Sequence, residues 1–206
     1  GTDLADLPIL ASVSPFKCGG RAGPEFYTDV PAGPLSLRHL TDLYLFPNSL
    51  RAVRVTGADL RLWLERSAGA FRQILPGMTD QPLSDRALAG YDFDTIFGLT
   101  YRFDLTQPSR YDPARGTLVA PEATRVIDLA WNGNPLRDTD RFIVSTNSYR
   151  AGGGGNFPGV RIEDVVAETP ATVRDLMARY VAECDQTAAP AQVWSLAPIP
   201  GATVIL

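Results

Sequence analysis

The chain has 206 residues, of which 45% are hydrophobic and 20% charged, and its net charge is −4. This size fits one large domain or two small ones, and the composition is typical of a globular protein. The negative charge argues against a nucleic-acid polymer or an anionic membrane surface as a partner, and no apolar run reaches the roughly 18 residues of a membrane-spanning helix.

A basic turn is predicted at residues 16–21, after a short apolar run at 6–14. Gly19 and Gly20 allow close approach of the backbone, and Lys17 and Arg21 flank them with positive charge. We therefore expect a cradle for an anion. The pair Cys18 and Cys184 fits either redox compartment, so a disulfide stays undecided.

Two helices and a strand are predicted before residue 70. Ser36 is a candidate N-cap for a short helix with leucines at 37, 40 and 43 on one face, followed by a rigid turn at residues 46–48. A strand is expected at 50–55, and residues 56–59 open a helix with an inward stripe of Leu60, Trp63, Leu64 and Ala68.

The second half of the chain favours strands and one long helix. Residues 99–105 alternate between apolar and polar types, as in a half-buried strand. Strands at 126–131 and 142–146 are predicted to form an antiparallel pair through an Asn-Gly turn at 132–133. Thr169 is the predicted N-cap of a helix that reaches Cys184. Strands and helices do not alternate regularly, so we expect an α+β fold with helices layered on a mixed or antiparallel sheet.

The glycine run at residues 152–155 offers backbone N–H groups to an anion, but no Lys-Ser or Lys-Thr follows as in a nucleoside-triphosphate loop. A flexible turn is therefore the alternative. Tyr149 at its entrance supplies a flat aromatic face beside bare backbone, on which a planar ligand can stack.

The sequence contains few candidates for catalysis. His39 is the single histidine, so neither a two-metal centre nor a Ser-His-Asp triad is expected. His39 itself is interpreted as a structural or surface residue. Asp92, Asp94 and Asp104 lack the spacing of a metal loop and are expected to be solvated carboxylates.

Several segments resemble the 5'-nucleotidase C-terminal domain family. The first two are DLYLFPNSL at 42–50 and VTGADLRLWLERSAG at 55–69. Three more point to the 2',3'-cyclic-nucleotide 2'-phosphodiesterase/3'-nucleotidase branch, namely YDFD at 91–94, TQPSRYD at 106–112 and TNSYRAGG at 146–153. Their order and spacing also agree over nearly the whole chain.

This resemblance implies a nucleoside-binding domain with a 5'-nucleotidase C-terminal domain fold over residues 1–206. It implies Phe46 and Tyr149 as the two rings that stack on the base, with Tyr44 as the competing first ring, and Asn48 as a contact to the base edge. Arg21 and Lys17 match basic positions that face sugar or phosphate.

The resemblance further implies partners and a location. The expected ligands are nucleosides and 2',3'-cyclic or 3'-nucleotides, and the expected partner is an N-terminal metallophosphoesterase domain of the same polypeptide, which holds two divalent metal ions. No cofactor is expected in the present domain, which alone is expected to be inactive. The parent protein is expected in the periplasm, and because the chain starts at Gly1 without a signal peptide, an excised fragment is favoured.

One departure from the family pattern bears on which branch the chain resembles. In 5'-nucleotidases an aspartate follows the second ring and holds the ribose hydroxyls, whereas Gly155 and Asn156 occupy that place here. This weakens a 5'-nucleotidase assignment, since a carboxylate there would repel a phosphate on the 2' or 3' oxygen. A free-standing nucleoside-binding module and a purely structural or interaction domain are two further interpretations of the same sequence.

Overall fold

A computed structural model describes residues 2–17, 19, 23, 25–184 and 191–206. Five α-helices and eleven β-strands lie in that part of the chain. The helices are α1 (Thr2–Ala5), α2 (Leu37–Leu43), α3 (Gly57–Ser67), α4 (Ser148–Ala151) and α5 (Val173–Glu183). The strands are β1 (Ile9–Val13), β2 (Ser49–Thr56), β3 (Gln81–Pro82), β4 (Thr95–Phe97), β5 (Leu99–Phe103), β6 (Val126–Trp131), β7 (Asn134–Pro135), β8 (Arg141–Asn147), β9 (Val165–Thr172), β10 (Trp194–Leu196) and β11 (Val204–Ile205).

The described strands form two larger sheets and one small one. The first sheet has the order β4-β1-β8-β2-β9, in which only β1 and β8 are parallel, and the second has the order β10-β5-β6-β7, in which only β10 and β5 are parallel. Strands β3 and β11 form a parallel pair. Helix α3 contacts strands of both larger sheets, and α5 packs on β9 and α2. The predicted α+β class with mixed sheets is confirmed.

Helix α3 supplies the centre of the core, as its apolar stripe predicts. Its start is stabilised by a capping box, in which the Thr56 hydroxyl accepts from the Asp59 N–H at 3.2 Å and the Asp59 carboxylate accepts from the Thr56 N–H at 2.9 Å. Leu60, Trp63 and Leu64 are fully buried. Each such side chain contributes about 1.5 to 3 kcal/mol relative to an exposed one.

Strand β5 confirms the predicted alternation. Leu99, Tyr101 and Phe103 are buried, whereas Thr100 and Arg102 are exposed. The apolar face of β5 therefore packs on the core formed with α3, and its polar face meets solvent.

The predicted pairing of residues 126–131 with 142–146 is wrong. The Asn132-Gly133 turn does form, with both φ angles in the left-handed region, but it joins β6 to the short β7. Strand β8 instead lies between β1 and β2 in the other sheet. A two-residue turn determines the pairing of its immediate neighbours only, and β8, with a continuous buried run at 142–144, needs partners on both sides.

The predicted N-cap at Thr169 is also wrong. Residues 165–172 pair with β2 as strand β9, and α5 begins three residues later with Thr172 as N-cap. Thr172 and Asp175 form a capping box there, with the Asp175 N–H donating to the Thr172 hydroxyl at 3.1 Å. Sheet pairing of residues 165–172 therefore overrides the Thr-Pro signal.

Candidate functional site

The turn that carries Phe46 and Asn48 leads directly into the first sheet. Helix α2 ends at Leu43, and the fixed φ angle of Pro47 directs the backbone into β2 at residue 49. The Phe46 side chain keeps 43% of its surface exposed. An exposed aromatic ring on a rigid turn is available to a ligand.

Tyr149 lies at the same edge of the sheet. Strand β8 ends at Asn147, whose side chain accepts from the Arg150 N–H at 2.9 Å and so caps helix α4. Strands β2 and β8 are antiparallel, with Leu50 opposite Asn147, so the start of one strand lies beside the end of the other. Strand pairing therefore brings together two aromatic positions that are about a hundred residues apart in sequence.

Phe46, Asn48 and Tyr149 line one cavity of about 170 Å³. The other lining residues are Phe16, Tyr91 and Asn147. The lining thus combines four aromatic rings with two amides. Apolar faces with a few polar groups are the composition of sites that bind and orient flat organic ligands.

Tyr91 contacts both of the predicted stacking rings. Its centroid lies 6.2 Å from that of Phe46 and 6.3 Å from that of Tyr149, with interplanar angles of 78° and 84°. Phe16 packs on Phe46 with centroids 5.6 Å apart. Sequence reasoning did not assign Tyr91 or Phe16 to the site, although Tyr91 opens the YDFD segment that carries the family resemblance.

Tyr44, the alternative first ring, has a different environment. It is 8% exposed, packs edge-on against Phe16 at 4.7 Å, and its hydroxyl accepts from the Asn48 amide at 3.4 Å. Burial raises the pKa of the Tyr44 hydroxyl. Tyr44 is thus covered by protein, whereas Phe46 is open.

A buried ion pair lies behind the cavity. Arg150 is 1% exposed and Asp94 is 2% exposed, and the Asp94 carboxylate accepts from Arg150 Nε at 2.8 Å and from Nη2 at 3.0 Å. Asp94 also accepts from the Trp63 indole at 2.8 Å, and Asp92 lies 3.3 Å from the guanidinium. The interpretation of Asp94 as a solvated carboxylate is therefore wrong. Its charge is compensated by an arginine 56 residues away, which no local pattern indicates.

The glycine run forms a tight turn after α4 that leaves no room at Gly155. The φ angle of Gly155 is +77°, and a Cβ atom on Gly155 would lie 2.3 Å from the Arg150 guanidinium and 2.4 Å from the Asp92 carboxylate. Asn156 donates to the Arg115 carbonyl at 3.0 Å. Gly155 and Asn156 themselves carry no carboxylate.

The structure does not bring Lys17 to this cavity. Its ammonium group forms an ion pair with Asp42 and lies 5.5 Å from the centroid of the Phe26 ring. Lys17 lines an adjoining cavity of about 550 Å³, which shares Phe16 and Asn147 with the first. Arg21 and Cys18 lie outside the described residues.

Within the described ranges, no group of three or more His, Cys, Asp and Glu side chains is arranged to hold a metal ion. His39 is used locally, because its Nδ1 accepts from the Ser36 N–H at 3.2 Å at the start of α2. None of the described helices is long and apolar enough to span a bilayer.

The chain is similar to known nucleotidases over most of its length. It is 43% identical over 182 residues to a 2',3'-cyclic-nucleotide 2'-phosphodiesterase/3'-nucleotidase of Haemophilus influenzae, covering 86% of the chain and 27% of that protein. It is 37% identical to the protein of the same name from Salmonella typhimurium, over 98% of the chain and 32% of that protein. The trifunctional nucleotide phosphoesterase YfkN of Bacillus subtilis is 39% identical to the chain, over 97% of the chain and 14% of YfkN. The chain thus spans a third or less of these relatives.

Solved structures share the fold. A putative 5'-nucleotidase from Staphylococcus aureus aligns with a TM-score of 0.66 at 20% identity, covering 91% of the chain and 33% of that structure. A 5'-nucleotidase precursor from Thermus thermophilus aligns with a TM-score of 0.65 at 17% identity, covering 93% and 32%. The family model described as the C-terminal domain of 5'-nucleotidase matches residues 11–161. The chain therefore belongs to the 5'-nucleotidase C-terminal domain family.

Proposed function

We propose that this chain is the nucleoside-binding domain of a 2',3'-cyclic-nucleotide 2'-phosphodiesterase/3'-nucleotidase and that it holds the base between Phe46 and Tyr149. One observation carries the proposal. These two exposed rings come from distant segments yet line one cavity, and the amides of Asn48 and Asn147 line it with them. The curated relatives named above support the choice of branch.

Stacking explains why the site uses rings rather than many polar contacts. Every base has a flat face, and each base–aromatic stack contributes about 1 to 3 kcal/mol with little dependence on the base. Asn48 then contacts the base edge and sets orientation. We therefore expect binding of all common nucleosides, with modest differences among them.

In a bound nucleotide, the phosphate is expected to point out of the aromatic cavity toward the basic turn predicted at residues 16–21. In this proposal Arg21 contacts the sugar or phosphate, and Lys17 has a smaller role because Asp42 already pairs with it. Hydrolysis belongs to an N-terminal metallophosphoesterase domain of the same polypeptide, whose two divalent metal ions supply the Lewis acid. A periplasmic location for the whole protein is part of this proposal.

The surroundings of Gly155 favour 3'- and cyclic nucleotides over the 5'-nucleotidase alternative. An aspartate at 155 would collide with Arg150 and Asp92. A site without that carboxylate avoids repulsion with a phosphate on the 2' or 3' oxygen. The matched ligands 3'-AMP and 5'-AMP therefore distinguish the two branches, and the first is expected to bind more tightly.

Isothermal calorimetry with the purified chain tests the proposal. Adenosine and 3'-AMP are expected to bind, and ribose 5-phosphate, which has no base to stack, is not. Absence of adenosine binding would overturn the nucleoside-binding role, and tighter binding of 5'-AMP than of 3'-AMP would favour the 5'-nucleotidase alternative. Metal-ligand motifs of the Asp-x-His, Gly-Asn-His-Asp and Gly-His-x-His types upstream in the parent gene would argue against a free-standing module.

A further inference from the structure

The Tyr149 ring packs directly against the backbone of Gly154. A Cβ atom built on Gly154 would lie 2.5 Å from both Cε1 and Cζ of Tyr149, and 2.6 Å from Cδ1. Real Cβ atoms essentially never approach other heavy atoms this closely. The glycine hydrogen is therefore the only substituent that fits between the Gly154 backbone and the ring.

The backbone conformation does not by itself require glycine at this position. Gly153 and Gly155 have φ angles of +92° and +77°, in the left-handed region that favours glycine. Gly154 lies outside that region. An alanine at 154 is thus compatible with the chain path but not with the present place of the Tyr149 ring.

The segment behind the ring is held in position by several hydrogen bonds. The Gly154 N–H donates to the Tyr149 carbonyl at 2.9 Å, and the Gly154 carbonyl accepts from the buried Arg150 guanidinium. Arg150 Nη2 also donates to the Tyr91 carbonyl at 2.9 Å, which ties the same support to the ring that contacts Tyr149. The ring thus rests on an anchored surface.

We propose that Gly154 is a positioning residue, whose bare backbone supports one side of the Tyr149 ring so that the ring stays at the depth at which it can stack on a nucleobase. This inference rests on the proposed function, because it concerns the same ring. It assigns a specific role to the third residue of the glycine run. The glycine is needed there for the absence of a side chain rather than for phosphate binding.

The test is a double-mutant cycle in the 206-residue chain, with adenosine as ligand. Gly154→Ala pushes the ring away from its support, and we expect Kd to rise about tenfold, within the range for one weakened stack. In a Tyr149→Ala background, Gly154→Ala is expected to change Kd less than about twofold, since no ring remains to be displaced. Equal effects in both backgrounds would overturn the positioning role.

Gly152→Ala is the matched control. A Cβ atom at Gly152 would lie 3.1 Å from the Ser148 carbonyl oxygen, which needs a shift of a few tenths of an ångström, and 3.6 Å from the Tyr149 carbonyl oxygen, but no atom of the Tyr149 ring lies within 4 Å. The φ angle of Gly152 is −84°, which alanine also adopts. This variant is therefore expected to bind adenosine like the wild type. A tenfold loss here as well would show that the loop tolerates no side chain for reasons unrelated to the ring, and would overturn the proposal.

A ligand-free measurement separates this inference from the proposed function. A Gly154 Hα over the face of Tyr149 experiences the ring current, so its NMR resonance is expected upfield and should return to an ordinary glycine position in Tyr149→Ala. An unshifted resonance in the wild type overturns the inference even if Gly154→Ala fails to fold. A shifted resonance together with unchanged adenosine binding in Tyr149→Ala would instead refute the proposed stacking function and leave the packing intact.

Discussion

Arg150 and Asp94 form a buried ion pair with two hydrogen bonds, Nε to Oδ2 at 2.8 Å and Nη2 to Oδ1 at 3.0 Å. The same guanidinium donates to the carbonyls of Tyr91 and Gly154. Its plane lies over the Phe157 ring, with Cζ 3.8 Å from the ring centroid. This arginine therefore connects the core to two segments that form the aromatic cavity.

Asp94→Asn should destabilise the fold strongly, because it leaves the buried charge of Arg150 poorly compensated. Loss of one partner of a buried pair costs about 3 to 5 kcal/mol, and we expect the lower end because Asp92 stays within 3.3 Å of the guanidinium. Urea unfolding measures the change. Glu168→Gln, which removes the exposed carboxylate from a pair with the half-buried Arg51, is the control and should cost about 0 to 1 kcal/mol. Equal effects would contradict the structural role of the buried pair.

Glu65 should make stability depend on pH. Its buried carboxylate accepts from the backbone N–H groups of Arg125 and Val126, both at 2.8 Å. Burial raises the pKa of Glu65, and these hydrogen bonds lower it by less. Between its ordinary pKa and the raised value, the folded state binds more protons than the unfolded state, so the contribution of Glu65 to the free energy of unfolding falls as pH rises.

Glu65→Gln tests this dependence, because the amide oxygen can keep both backbone hydrogen bonds while the titration is lost. Urea unfolding from about pH 4 to pH 7 should show that the stability of the wild type relative to Glu65→Gln decreases with increasing pH. Parallel pH profiles for the two proteins would show that burial does not perturb Glu65.

The isolated chain should not hydrolyse 2',3'-cyclic AMP or 3'-AMP, even with added Mn²⁺, Mg²⁺ or Zn²⁺. A two-metal site needs several His and Asp ligands, whereas His39 is the single histidine and is used at the start of α2. The assays measure the release of phosphate from 3'-AMP and the opening of the cyclic ester of 2',3'-cyclic AMP. Metal-dependent turnover that a chelator abolishes would contradict the assignment of chemistry to another domain.

Arg21→Ala should weaken 3'-AMP binding more than adenosine binding, because only the nucleotide offers a charge to the guanidinium. This prediction comes from the sequence. The adenosine measurement controls for effects on folding or stacking, and Lys17→Ala should discriminate less because Lys17 is paired with Asp42. If the contact between Arg21 and the phosphate is desolvated, its effect on affinity should persist in high salt, whereas the effect of an exposed contact should decrease. An equal loss of affinity for 3'-AMP and adenosine, or no loss for either, would show that Arg21 does not contact the phosphate.

The sequence predicted the elements whose signals are local. The helix that opens at residues 56–59 and the alternation along β5 both appear as expected. It misplaced features decided by distant partners, since β8 pairs with β1 and β2 rather than with β6, and Asp94 is neutralised by Arg150. At the site, resemblance supplied Phe46 and Tyr149. The edge contacts of Tyr91 depend on three-dimensional packing that no spacing in the sequence encodes.

The central claim is that Phe46 and Tyr149 together bind a nucleobase, and calorimetric titration of adenosine tests it most directly. Phe46→Ala and Tyr149→Ala should each raise Kd by a factor of about 5 to 150, equivalent to the loss of one stack. Thermal unfolding should show that both remain folded, as expected for rings that are 43% and 45% exposed. Tyr180→Ala, at an exposed ring on α5 that does not line the cavity, should bind like the wild type. Wild-type affinity in both cavity variants, or unfolding of both, would contradict the account and identify these aromatic residues as parts of the structure alone.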